Sequence, residues 1–337
     1  MSITAKELAK QLGLSRGAVS VALNGKPGVS EKTRRKVLEA AQAQGFDFSR
    51  LTARPTPATQ AGTIFFIVYK RHGAVVADTP FFSELSKGIS MACNQLGLYL
   101  RVSFLYGDSD IQSELADLLR SGCTGMILLG TEMQWEDFTP FQNLPVPLVV
   151  LDTWFERTNA NFVLINNVQG AYLATSHLMQ RCKAQPGYLR SSYPINNFSE
   201  RADGFYKAIR AGGMSTSKSI VHLLSPSVEG AYSDMTALLD QGEEPARCYF
   251  ADNDLIAAGA IRAFRERGYR IPKDIAVVGF DDMPLAGYND PPITTIHVAS
   301  QEMGEVAVCR LNELIAVSTA VPVKIEISTK LIKRKSV

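Results

Sequence analysis

The 337-residue sequence predicts an α/β protein with an N-terminal helix-turn-helix headpiece of three short helices and two lobes of doubly wound parallel sheet behind it. Three observations carry this expectation. From residue 63 onward, short β-branched or aromatic runs alternate with amphipathic helical patterns, the mark of parallel strands covered by helices. Residues 1–48 hold only helical patterns, broken at glycines. Between the two, residues 49–61 (SRLTARPTPATQA) are polar, carry two prolines and have no apolar period, which makes them a linker.

In the first block, Thr4-Ala-Lys-Glu7 reads as a capping box for a helix whose inner side is Leu8, Ala9 and Leu12, stopped by Gly13. Ser15 caps a second helix running to about Asn24, with Val19, Ala22 and Leu23 buried. Gly25-Lys-Pro-Gly28 interrupts the chain. Ser30 caps a third helix, with Val37, Leu38 and Ala41 inward and Lys32, Arg34, Arg35 and Lys36 near its start. In the body, strands are expected to start near 63, 98, 124, 147, 162, 187, 219, 247, 275, 294 and 323, and helices at 82–97, 111–121, 167–180, 198–212, 255–268 and 301–316. Eleven strands exceed one ordinary open sheet, hence two lobes.

Composition narrows the function. With 46% apolar and 20% charged residues the chain buries sizeable cores. Its longest apolar runs, 63–69 and 147–151, fall far short of the roughly 20 residues that span a bilayer, and Met1-Ser-Ile-Thr has no signal-peptide pattern. Cysteines at 93, 123, 182, 248 and 309 form no CxxC pair, which argues against a disulfide framework or a thiolate metal site; the expected compartment is the reducing cytoplasm. Ten Lys/Arg and four Asp/Glu give residues 1–61 a net +6, which leaves −4 for the rest against a whole-chain +2. A basic block on a mildly acidic body suggests a polyanion-binding module. GxGxxG after a strand, GxxxxGK[ST], HExxH and GxSxG are all missing, and His72, His177, His222 and His297 lie far apart. The sequence therefore points away from an enzyme and to no cofactor or metal.

Helix-turn-helix geometry would place the second helix in a DNA major groove, presenting Ser15, Arg16, Gly17, Ser20 and Val21. Arg16 is the one long donor among them and suits bidentate recognition of guanine. Thr4, Ser15, Ser20 and Asn24 are short polar groups suited to phosphates. The bland alternative is a small helical bundle with a solvated basic face.

Thr4-Ala-Lys-Glu-Leu-Ala-Lys-Gln-Leu-Gly-Leu-Ser15, Ala18-Val-Ser-Val-Ala-Leu-Asn24 and Val29-Ser-Glu-Lys-Thr-Arg34 resemble the headpiece of LacI/GalR-type bacterial transcription regulators. The likeness continues through Pro80-Phe-Phe82, Asn167, Glu200-Arg201-Ala-Asp-Gly204, Ala251-Asp-Asn-Asp254, Val277-Val-Gly-Phe-Asp-Asp282, Pro291-Pro-Ile-Thr-Thr-Ile296 and Leu331-Ile-Lys-Arg-Lys-Ser336, in the family's order. It implies a homodimer on a pseudo-palindromic operator. It also implies a periplasmic-binding-protein-like body: two lobes joined by three crossovers, with a small sugar-like effector between them. On this chain the resemblance maps the headpiece to 1–48, the hinge to 49–61 and the core to 62–337, with one lobe at about 62–161 and 293–319 and the other at about 162–292 and 320–337.

The same resemblance nominates Phe81, Phe82, Trp154, Asn166, Arg201, Asp254 and Asp281 as effector contacts. All but Asn166 also have an ordinary reading: core packing for the aromatics, a surface ion pair for Arg201, a helix cap for Asp254 and an Asx-turn for Asp281. Arg34, and Leu51 or Arg54 in the hinge, join the DNA-facing set. The chain departs from the family at Pro55 in the hinge, at Ala18 and Val21 in the recognition helix, and in the long segment 70–79, where Lys70, Arg71 and His72 reach the cleft or form a solvated rim. These departures keep a second reading open: a sensor that acts through protein partners.

Overall fold

The structure, a computed structural model, describes residues 5–23, 29–43, 62–71, 73, 75, 80–317 and 320–337. Two compact units result, Met1–Gln60 and Ala61–Val337.

In the first unit, helices α1 (Ala5–Leu12), α2 (Arg16–Leu23) and α3 (Glu31–Ala43) pack around Leu8, Ala9, Val19, Ala22, Leu23, Val37 and Ala41. Gly13 makes the turn after α1 at φ +66°, a left-handed conformation that costs glycine nothing. The Ser15 hydroxyl accepts from the Ala18 amide at 3.1 Å and caps α2; Ser30 does the same for α3 through Thr33 at 3.2 Å. Thr4, Asn24, Leu51, Arg54 and Pro55 lie outside the described residues.

The second unit opens with β1 (Thr63–Lys70), α4 (Pro80–Leu96), β2 (Tyr99–Tyr106), α5 (Ile111–Arg120), β3 (Cys123–Leu129), a short α6 (Trp135–Phe138), β4 (Leu148–Leu151) and β5 (Asn161–Ile165). Then follow α7 (Asn167–Cys182), β6 (Gly187–Ser191), α8 (Asn196–Ala211), β7 (Val221–Leu224), α9 (Val228–Asp240), β8 (Cys248–Ala251), α10 (Asp254–Glu266), β9 (Ala276–Val278) and α11 (Pro284–Tyr288). The chain ends with β10 (Thr295–His297), α12 (Ser300–Ala316), β11 (Lys324–Ile327) and β12 (Lys330–Ile332).

One sheet runs β11-β5-β4-β3-β1-β2 and a second runs β7-β6-β8-β9, every pair parallel; β10 and β12 form a separate antiparallel ribbon. The central strand β1 (TIFFIVYK) reads as an unbroken apolar run because it is covered on both faces. Ile64, Phe66 and Val68 pack toward Leu85, Ile89, Met303 and Val308, whereas Phe65, Ile67 and Tyr69 pack toward Leu115, Phe138 and Phe141. Helix α5 is capped by Asp110, which accepts from Ser113, and α9 by Ser227, which accepts from Gly230.

The strand pairing moves the expected lobe boundaries. Both β5 and β11, placed by the sequence in the second lobe, are hydrogen-bonded into the first sheet. Thr294, placed in the first lobe, bridges Val278 of the second sheet. Each crossing thus falls a few residues later along the chain than 161, 293 and 319. The reason is physical: the residue pattern of a short crossing strand does not name the sheet it joins, so only hydrogen-bond partners mark where the sheet ends. Among the described residues, no helix is long and apolar enough to cross a membrane, and no group of three or more His, Cys, Asp or Glu is placed to hold a metal ion.

Candidate functional site

A cavity of about 220 Å³ lies where the two parallel sheets present their carboxyl ends. Residues just beyond β3, β4, β7, β8 and β9 supply Thr131, Asp152, Ser227, Asn253 and Asp281 to its wall. The first turn of α4 adds Phe81 and Phe82, and the first two turns of α8 add Asn197, Phe198 and Arg201. Ligands of open α/β sheets prefer this end of the strands, where loops and helix starts bring polar groups together. The volume is below the ~300–1,000 Å³ of drug-sized pockets, a fit for something the size of a monosaccharide.

Arg201 organises the polar side. It is 3% exposed, and its guanidinium reaches three separate segments. Nε donates to Asn167 Oδ1 at 2.9 Å, Nη1 to the Asp252 carbonyl and Nη2 to Asp281 Oδ1 at 3.0 Å. Its plane lies 3.7 Å from the Phe280 ring centroid, so aromatic stacking completes the cage. Asp281 stands at φ +96° and Asp152 at φ +62°, strained values for residues other than glycine that concentrate at ligand sites. Asp152 accepts from Thr131 Oγ1 at 2.6 Å and from Asn197 Nδ2 at 2.9 Å. Burial pushes its carboxyl up to about 6, against the lowering effect of those two hydrogen bonds. Burial also raises Asp281, opposed by the charge of Arg201. Across from these groups, Phe82 stacks on Phe66 with ring centroids 6.0 Å apart and Phe81 lies beside it, which gives the cavity an apolar wall.

Of the residues nominated by sequence, Phe81, Phe82, Arg201 and Asp281 converge on the cavity. Three others are placed elsewhere. Asp254 is fully buried behind the wall; its carboxylate accepts from the Thr295 hydroxyl at 2.6 Å and the Met283 amide at 2.8 Å, and burial raises its pKa well above the usual range. Its neighbour Asn253 caps α10 and lines the cavity instead. Asn166 caps α7 through the Gln169 amide, and Asn167, one position on, reaches Arg201. Trp154 lines a separate recess of about 400 Å³, with its Nε1 donating to Glu200 at 2.6 Å and the Lys324 ammonium 3.4 Å from its ring centroid. Arg71 is turned to Asp137 at 3.4 Å, and its backbone amide donates to Glu132; His72 lies outside the described residues. Asp152 and Thr131 escaped the sequence reading, yet each follows a strand directly, the same signal that nominated Asp281.

In the headpiece, Arg16, Gly17 and Ser20 are exposed on α2, while Val19, Ala22 and Leu23 face inward. Ser15 is exposed too, with its hydroxyl engaged in the cap. Arg34 does not share this surface simply: its guanidinium donates to the Ala22 carbonyl at 3.3 Å and ties α3 to the end of α2. Arg35 pairs with Glu39 at 3.7 Å on the outside of α3.

Fold and site together define a class: a three-helix, helix-turn-helix headpiece on a core built like a periplasmic binding protein. Residues 176–337 match the periplasmic binding protein-like domain family. GalS of Salmonella typhimurium, an HTH-type transcriptional regulator, is 30% identical over 308 residues, 90% of this chain and 88% of its own. The HTH-type transcriptional repressor PurR of Mannheimia succiniciproducens is 29% identical over 338 residues, 99% of this chain and 98% of its own. Among solved structures, the transcriptional regulator CelR in complex with cellobiose superposes with a TM-score of 0.73 at 25% identity, over 99% of both chains. The lac repressor dimer bound to operator and the anti-inducer ONPF gives 0.70 at 25% identity, over 100% of this chain and 99% of its own. The chain belongs to the LacI/GalR-type family of transcription regulators.

Proposed function

We propose that this chain is a ligand-controlled repressor that binds a pseudo-palindromic operator as a homodimer in the cytoplasm and senses a small, neutral, polyhydroxylated metabolite, such as a monosaccharide. The observation that carries the effector half is the wall of the cavity: Asp152 and Asp281 keep acceptor capacity beyond the hydrogen bonds they already make, facing Phe81 and Phe82. Ligand hydroxyls donate to those carboxylates, and an apolar sugar face packs on the aromatic wall. Arg201 already pairs with Asp281, so among the described lining residues the cavity offers no isolated positive charge to recruit an anion. The sugars bound to two similar solved structures, cellobiose in CelR and ribose in a LacI family regulator of Enterococcus faecium, support the same chemistry. Among the described residues that line the cavity no nucleophile is paired with a base, in keeping with a ligand that leaves unchanged.

The DNA half rests on the exposed α2 surface around Arg16, in the +6 segment. DNA fragments from upstream of the protein's own gene test it by electrophoretic shift. A specific complex forms with a dissociation constant of about 10⁻⁸–10⁻¹¹ M at physiological salt. Equal affinity for scrambled sequence overturns operator binding and favours a sensor that works through protein partners. Thermal-shift measurements with a panel of monosaccharides, sugar phosphates and nucleosides test the effector half, since a ligand of the native state raises the melting temperature. A rise with sugar phosphates alone contradicts the neutral-ligand reading.

A further inference from the structure

The segment 70–79, whose length the sequence singled out, leaves β1 and leads to the first turn of α4. Three of its backbone amides turn to one side chain. The Arg71 and Gly73 N–H groups donate to Glu132 Oε2 at 3.0 and 2.9 Å, and the Val75 N–H donates to Oε1 at 2.8 Å. Gly73 makes the bend between them at φ +69°, a left-handed conformation that suits glycine. The Arg71 guanidinium is turned instead to Asp137. Glu132 lies just beyond β3 and is only 1% exposed. Val75 lines the cavity of about 220 Å³ together with Phe81 and Phe82.

A buried carboxylate is costly unless donors replace the water it loses. Here the donors are backbone amides of alternate residues, which curl around the anion as a cradle. Bonds of this kind are roughly twice as strong as those between neutral groups. An apolar side chain would fill the same space without desolvating a charge, but it would not hold three amides in one register. The adjacent Thr131 hydroxyl donates to Asp152 Oδ2 at 2.6 Å. Two successive residues beyond β3 therefore hold two parts of the cavity wall: an acceptor for ligand hydroxyls and the apolar Val75.

We propose that Glu132 is a specificity-determining positioning residue: it seats the segment 71–75 as a strap at the cavity and fixes Val75 as the apolar stop that limits the effector to a single sugar ring. Glu132 touches the strap and not the ligand, so it acts on selection through Val75. The proposal rests on the sugar reading above and refines it to a size class.

Hydrogen–deuterium exchange of the full chain, read by mass spectrometry on peptides covering 69–79, reports on the strap without any ligand. Glu132→Ala speeds exchange there by about tenfold or more, while peptides from β5 and α12 keep their rates. Glu132→Gln, which retains one accepting oxygen, falls between. Calorimetric titrations with D-ribose, D-glucose, D-galactose and cellobiose read the size selection. The unaltered chain binds one of the monosaccharides more tightly than cellobiose. Val75→Ala keeps its amide bond to Glu132 but weakens that monosaccharide by about tenfold and narrows its lead over cellobiose; Glu132→Ala does the same. Circular dichroism melts verify folding, and should Glu132→Ala not fold, Glu132→Gln and Val75→Ala carry the same readouts. Unchanged exchange at 69–79 overturns the positioning role. Faster exchange with an unaltered monosaccharide-to-cellobiose ratio, or tighter binding of cellobiose by the unaltered chain, overturns the size selection. Should none of these sugars bind the unaltered chain, the sugar reading and the size class fall together, and the exchange rates still decide whether Glu132 holds the strap.

Discussion

Arg201 shows how one side chain holds several segments in register. Its donors are taken by Asn167, Asp252 and Asp281, from three parts of the chain, so removal strands buried acceptors as well as emptying the cavity. Asp152 works differently, because its ordinary charge state is contested. A carboxyl that binds its proton more tightly in the folded state favours folding most below the unfolded value of about 4, and that advantage fades as pH rises through the folded value of about 6. A ligand hydroxyl that donates to the ionised carboxylate reverses the preference. The affinity of the best-stabilising sugar thus falls as pH drops below about 6, by at most about tenfold per unit, and Asp152→Asn flattens the profile. Isothermal titration calorimetry between pH 5 and 8 reads both. On the headpiece, Arg16→Ala costs operator binding about 1–3 kcal/mol and relaxes specificity at one base pair. A uniform loss across all sequences reassigns Arg16 to a phosphate. At this scale the sequence exposed Arg201 and Asp281 and missed Asp152 and Thr131. It misplaced Asp254 because a helix start looks alike whether its carboxylate turns to a cavity or inward to Thr295.

Helices α7 and α8 set the distance between Asn167 and Arg201, and a glycine lets them approach. A Cβ at Gly204 would lie 2.4 Å from the Val168 carbonyl oxygen and 2.8 Å from Ala171 Cβ, so the helices must part to admit it. Gly204→Ala gains up to about 1 kcal/mol of helix propensity and loses about 1–3 kcal/mol to overpacking. The net expectation is a lower urea midpoint together with weaker sugar binding, since the Asn167–Arg201 bond spans the widened gap. An unchanged midpoint would show that the backbone carbonyl yields freely. Element types and most of their limits were legible in the periodicity and in caps such as Ser15 and Ser30. The sheet membership of β5 and β11 was not, because neither the apolar run of β5 nor the alternating Lys-Ile-Glu-Ile of β11 carries a mark of its hydrogen-bond partner.

A repressor of this kind works through the coupling of its two ligands. By thermodynamic linkage, whatever factor the sugar imposes on operator affinity, the operator imposes on sugar affinity, typically 5–150-fold. Sugar titrations of the free protein and of its operator complex should differ by that factor, in the direction set by the shift assay; identical affinities contradict coupling. What the sequence determined by itself was the order of parts: a basic three-helix head, a polar linker, and alternating strands and helices enough for two lobes. Those features live in local periodicity, capping and charge, which act over a few residues. Only the tertiary structure decided which carboxylate meets Arg201 and which asparagine does so. Each of these depends on segments tens of residues apart being brought to one place by sheet order, and no local pattern encodes that distance.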